Sequence, residues 1–339
     1  IMNCKKLSPV IPLPLVKLKV ILLALIATSL LFPLEAKEGL SGMVYYKWVY
    51  PVDPAPDEYN EFSFDRIYVT YEKQLWDGIK VILVTDIKNT AGVWAARQKN
   101  AYLDYKTGAG SLLIGMQGMN LFNVIKDNWG YRFLAKSSMN EHKWASSADF
   151  GLGYKVTVAG KAHLHFTVTN GTGFDKKESD KYKKIAAQAV YGTKKLGMKP
   201  GFNVGLAGTM EPYEPTDTTT ATKTVMAVFG GLTLKSTIRV GGEFDREMDN
   251  GEDITRQIIA AYFDLRVRGI PRLNINIFGR AESYDPDLGT AEDGELIMMI
   301  GAKIFPIKAF NIAPNLRYSI PEAGDSDVTA LQLNFEFKY

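Results

Sequence analysis

The 339-residue chain has one cysteine, Cys4, and three histidines, His142, His163 and His165. With no thiol beyond position 4 there is no disulfide framework, so backbone pairing and size must hold the fold. No serine motif is placed to use the three imidazoles as a base, and the sequence predicts no enzyme. Long apolar helices are missing too. The run from Val20 to Phe32 is well short of the ~20 residues a spanning helix needs.

That run has another use. Lys5, Lys6, Lys17 and Lys19 precede it and the small residue of Leu34-Glu35-Ala36 follows, the pattern of a cleaved export signal over residues 1–36. Its removal takes four of the 40 Lys+Arg and one of the 37 Asp+Glu, leaving residues 37–339 with equal numbers of each sign. The basic balance belongs to the signal, and nucleic-acid binding loses its support. No cofactor or metal is expected either. His163-x-His165 lacks a third ligand, and the carboxylates of Asp245–Asp253 and Asp285–Glu295 lack regular ligand spacing.

What the chain does have is strand. From Leu40 onward, runs rich in Val, Ile, Thr, Tyr and Phe recur between turn formers, and their spacing predicts about sixteen strands, from 40–50 and 60–75 through to 309–320 and 327–339. The last is the clearest. Leu331, Leu333, Phe335, Phe337 and Tyr339 share one face, while Gln332, Asn334, Glu336 and Lys338 share the other. Leu164, Phe166 and Val168 oppose His163, His165 and Thr167 in the same way. Such two-faced strands fit a soluble sandwich or a transmembrane barrel.

The connections separate the two. Long, mostly acidic ones from Pro51, Thr169, Glu211, Asp245 and Tyr284 alternate with short ones, several of them basic, at Gln74, Val158, Arg268 and Phe305. A sandwich has no reason to sort its loops, whereas a barrel with both termini on one side does. The expectation is therefore an all-β, transmembrane antiparallel barrel of about sixteen strands over 37–339. Three strands fit poorly, because Ile79–Val84, Val225–Phe229 and Leu296–Ile300 are apolar on both faces. Either the count is off by two or these strands touch an inserted loop.

Residues 119–147 form much the longest connection, and connections beyond ~12 to 15 residues are usually functional. Leu121, Val124, Ile125, Trp129, Phe133 and Leu134 need burial, and the barrel wall is the nearest surface. The expectation is an in-folded third external loop that constricts the pore, with Arg132, Lys136 and Lys143 facing solute. The other placement is a lid over the outer mouth. On the strands, Arg66, Arg239, Arg266, Arg280 and Arg317 are candidate lumen cations, with Asp104 and Glu243 as candidates of opposite sign.

N-E-F-S-F-D-R-I-Y-V-T-Y-E from Asn60, K-N-A-Y-L-D-Y-K from Lys99, W-G-Y-R-F from Trp129 and S-S-A-D-F-G-L from Ser146 resemble the phosphate-selective porin family, mainly over residues 60–155. The resemblance implies a sixteen-stranded, often trimeric channel in the bacterial outer membrane. It would pass small hydrophilic solutes or anions such as phosphate along lumen arginines. Mixed lumen charge argues against a strong anion attractor. The final strand resembles those of outer-membrane proteins generally, which implies that Phe335, Phe337 and Tyr339 are read by the barrel-assembly machinery. The competing reading is a structural or adhesive barrel with a plugged lumen and acidic contact loops.

Overall fold

Alternating side chains decide the architecture, because a strand that is apolar on one face only must turn that face away from water. The structure, a computed structural model, describes residues 39–52, 60–90, 92–216, 219–269, 274–323 and 327–339. The export signal expected over 1–36, most of the connection from Pro51 and part of the turn at Arg268 lie outside these residues. Sixteen strands follow in order: β1 (Gly39–Pro51), β2 (Glu61–Trp76), β3 (Ile79–Thr90), β4 (Val93–Lys106), β5 (Gly110–Gly118), β6 (Ala148–Val158), β7 (Ala162–Thr169) and β8 (Lys184–Gly192). Then come β9 (Gly201–Thr216), β10 (Thr219–Leu234), β11 (Ile238–Asp249), β12 (Ile254–Val267), β13 (Ile275–Asp285), β14 (Glu295–Ile307), β15 (Phe310–Pro321) and β16 (Val328–Lys338). Two short helices, α1 (Asn123–Trp129) and α2 (Ser138–Glu141), lie between β5 and β6.

Each strand pairs antiparallel with its sequence neighbours, and β1 pairs with β16, from Met43 opposite Lys338 to Pro51 opposite Ala330. The sheet is therefore a closed barrel without an edge, which satisfies every strand's backbone inside a bilayer. On β9, Phe202, Val204 and Leu206 are about half exposed, whereas Asn203, Ala207 and Thr209 are buried. The apolar row faces outward and the small or polar row faces inward. The last strand follows suit: Asn334 and Glu336 are buried, while Phe335 on the opposite face stacks on Tyr46 at 4.4 Å. Among the described residues no helix is long and apolar enough to cross a membrane.

The strands apolar on both faces now have a reason. Val225, Ala227 and Phe229 share a buried cluster with Leu121, Phe122, Val124 and Ile125. Met299 and Val84 meet a second cluster that contains Trp129, Tyr131, Phe133 and Leu134. Their inward side chains pack on residues 119–147, and the strand count stays at sixteen.

The loop pattern needs correction. Glu211–Thr216 and Asp245–Asp249, expected in long loops, are strand: Thr216 pairs with Thr219, and Asp249 pairs with Ile254. The physical reason is that Asp245, Glu247 and Asp249 sit at alternate inward positions of β11, where acidic residues read as loop composition although they are paired backbone. The β3–β4 connection is also tight, and residues 193–200 make a longer turn than expected on the side of the chain termini.

Candidate functional site

Residues 119–147 pack on inward-facing residues of the wall, and each part is held by specific chemistry. Met119 N–H donates to the Ser147 carbonyl at 3.1 Å and closes the base of the loop. Asn120 donates to the His165 carbonyl on β7 at 2.7 Å and accepts at its own carbonyl from Gln188 on β8. One turn on, α1 buries Val124, Ile125, Asn128 and Trp129. Asn128 and Asn203 of β9 exchange amide hydrogen bonds of 2.8 and 2.7 Å.

Gly130 ends α1 in a left-handed conformation at φ 75°, its N–H donating to the Lys126 carbonyl. A Cβ there would sit 2.7 Å from the Arg239 guanidinium, so the helix end needs glycine for two reasons. Arg239 donates to the Trp129 carbonyl at 3.0 Å, to the Leu196 carbonyl at 3.3 Å and to Asp264 at 3.0 Å. Asn276 donates to the other Asp264 oxygen at 2.7 Å.

An aromatic chain continues across the interior: Trp129 to Tyr131 at 5.2 Å, Tyr131 to Phe278 of β13 at 4.6 Å, and Phe133 to Tyr45 of β1 at 6.4 Å. Lys303 of β14 lies 4.9 Å over the Tyr131 ring. Next, α2 is clamped to the wall. Ser138 donates to Glu243 at 2.7 Å, and Arg280 donates to the Lys136 carbonyl at 2.6 Å and to Ser138 at 2.8 Å while pairing with Glu282. His142 bonds Glu282 at 2.6 Å and stacks on Tyr284 with centroids 3.6 Å apart.

These contacts run from β7 around to β2, always on the face opposite the exposed apolar rows. The sequence candidates then divide. Arg239 and Glu243 are 6 and 7 % exposed and Arg280 is similarly covered, so these three hold the loop instead of facing water. Parity along a strand told which face they share, not that the loop covers it.

Other candidates border open space. Arg132 lies 3.8 Å from Asp65, and Lys136 lies 3.7 Å from Glu141. Arg317, Glu141, Arg280 and Glu282 line one cavity together with Ile297 and Met299. Burial pushes the Glu141 carboxyl up, but Lys136, Arg317, Arg132 and the Lys136 N–H more than offset this and hold it below the usual range. Arg66 pairs with buried Asp86. Arg266 and Asp104 are half-buried on inward faces, and Lys143 is exposed with a left-handed backbone at φ 63°.

Sequence reasoning missed Ser138, His142, Asn128 and Glu282 as loop anchors. For Glu282 a signal existed, since two residues from Arg280 puts both on one face. His163 bonds Thr157 at 2.9 Å and the Gly192 carbonyl at 3.1 Å, and His165 is buried beside it. Among the described residues no group of three or more His, Cys, Asp or Glu gathers to hold a metal.

No family model matches the chain, and no curated protein matches it. Solved structures do. The anion-selective porin from Comamonas acidovorans superposes with a TM-score of 0.68 at 11% identity, covering 88% of this chain and 98% of that one. The chain has the fold of the outer-membrane porins. The outer-membrane channel DcaP of Acinetobacter baumannii gives 0.63 at 14% identity, covering 91% of this chain and 100% of that one. An in-vitro folded trimer form of OmpT, an outer-membrane protein of Vibrio cholerae, gives 0.56 at 10% identity, covering 88% and 98%. A porin-like barrel whose outer belt is apolar is an outer-membrane barrel, with lipid as its surroundings.

Proposed function

We propose that this porin-like barrel is a water-filled channel for passive diffusion of small hydrophilic solutes, with residues 119–147 setting its narrowest point. The observation that carries the reading is the division of the loop. Its apolar side chains pack on the wall in two clusters, while Arg132, Lys136 and Glu141 remain half-buried at the open side. Fixed charges in a narrow passage act on a permeating ion far more strongly than at an open surface.

Selectivity follows from their pairing. Arg132 with Asp65, Lys136 with Glu141 and Arg66 with Asp86 present both signs, so a preference for anions such as phosphate is weak in this reading. The channel named anion-selective among the similar structures supports anions as the favoured sign. A homotrimer belongs to the same reading, supported by the trimer form of OmpT.

A second reading rests on one observation. Loop residues from Leu121 to Ala145 fill clusters reaching strands from β8 around to β2, as a plug would. The barrel then serves as a structural or adhesive surface protein. Single-channel recording of the refolded protein in a planar bilayer separates the two. Stable conductance steps uphold the channel, and a silent but correctly inserted barrel upholds the plug.

A further inference from the structure

The two rims of the barrel differ in charge. At the rim where β1 begins and β16 ends, the connections are 77–78, 107–109, 159–161, 193–200, 235–237, 268–274 and 308–309. They carry Lys161, Lys194, Lys195, Lys199, Lys235, Arg268 and Lys308, all exposed, and their described residues include one acidic side chain, Asp77. At the opposite rim, the turns at 250–253 and 286–294 hold Glu252, Asp253, Asp287, Glu292 and Asp293 and no basic residue, while the 170–183 connection mixes Lys176, Lys177, Lys181 and Lys183 with Asp175, Glu178 and Asp180.

The basic rim is also unneutralised from within. Nearby Lys80 and Lys338 have carboxylate partners in Glu72 and Glu336. The seven cations of the turns form no ion pair among the described residues. Arg268 donates instead to the Lys235 carbonyl at 3.0 Å.

Position identifies the counter-charge. Val158, Leu234 and Ile307 lie within three residues of Lys161, Lys235 and Lys308 and are 50 to 51 % exposed on the outer, apolar face, whereas the 193–200 turn folds inward, with Leu196 buried and its carbonyl accepting from Arg239. Lys161, Lys235 and Lys308 therefore stand just beyond the apolar belt, at the level where lipid phosphates lie, and long lysine stems reach that level easily. Their spread matters as much. They come from the β6–β7, β10–β11 and β14–β15 turns, which are spread over more than half the circumference. A folded protein partner meets one sector of a ring, whereas a lipid annulus meets all of it.

We infer that this rim binds anionic phospholipid headgroups in the leaflet facing the chain termini. The contacts are between ammonium or guanidinium groups and headgroup phosphates, and they enrich negatively charged lipid around the barrel. This goes beyond conduction and holds for either reading of the lumen.

The test is quenching of a rim tryptophan by brominated lipid. Y191W in a W48F/W76F/W94F background places the reporter opposite Ala162, the residue after Lys161. Trp129 and Trp144, which remain, are 2 and 4 % exposed. The protein is reconstituted in phosphatidylcholine alone or mixed equally with phosphatidylglycerol, one lipid brominated at a time. Phosphatidylglycerol should quench at least about twofold more effectively, and high salt should reduce the preference. K161E/K235E/K308E should bring it to parity, and K176E/K177E at the opposite rim should leave it intact, each variant being accepted only if its heat-modifiable gel migration is preserved. Equal quenching in the parent, a preference surviving the rim variant, or loss in both variants overturns the inference. Retention on peptidoglycan sacculi without a lipid preference also overturns it and assigns the rim to an acidic polymer.

Discussion

Arg132 is the loop cation whose charge is easiest to read electrically. It is half-buried, 3.8 Å from Asp65, and neither side chain is committed to the loop's packing. R132E places two carboxylates together where a cation stood, so the reversal potential in a salt gradient should shift toward cations; an unchanged potential removes Arg132 from the passage. Arg239 illustrates the opposite case. R239A strips Asp264 of its buried partner and frees the Trp129 carbonyl, which should cost about 3–5 kcal/mol, measured as a lowered unfolding midpoint. Glu141 supplies a pH dependence. Its carboxyl is held below the usual range, so its contribution to loop docking is present at neutral pH and is lost as pH falls through that lowered value. Current noise should therefore rise on acidification, and E141Q should show the noise already at neutral pH.

At the scale of elements, the loop and the last strand make separable predictions. Replacing residues 120–146 by a short glycine turn keeps the Met119–Ser147 closure and should raise single-channel conductance several-fold; parental conductance places the constriction elsewhere. F337A/Y339A removes the last two aromatics of the sequence, including the Phe337 ring beside Phe310, and should lower the amount of assembled barrel without altering the conductance of channels that do form. Strands were legible in the sequence because a period of two survives even when both faces are partly apolar. The ends of β9 and β11 were not. Glu211 and Asp245 resemble loop residues by composition, and composition does not distinguish a solvated loop from an inward-facing strand over a polar interior.

For the whole molecule, closure and the number of strands could be read from spacing, whereas the interior could be read only by parity. Alternation puts Arg239, Arg280 and Glu243 on one face of their strands, yet whether they meet water depends on a loop whose path is set by contacts more than 100 residues away, such as Ser138 with Glu243. Unexplained apolar residues at Val225, Phe229 and Met299 carried the missing information, since an inward Val or Phe must have a partner.

Phe133 bears on the order of folding. Its ring meets Tyr45 of the first strand, and its carbonyl accepts from Asn334 of the last at 3.4 Å. Those strands are the most distant in the chain, so the seam between them pays the largest loop-closure entropy and forms late. A residue from the middle of the sequence that grips both sides cannot complete its contacts until the ring has shut. Once seated, it works as an internal latch on the seam, so F133A should speed unfolding much more than it slows folding.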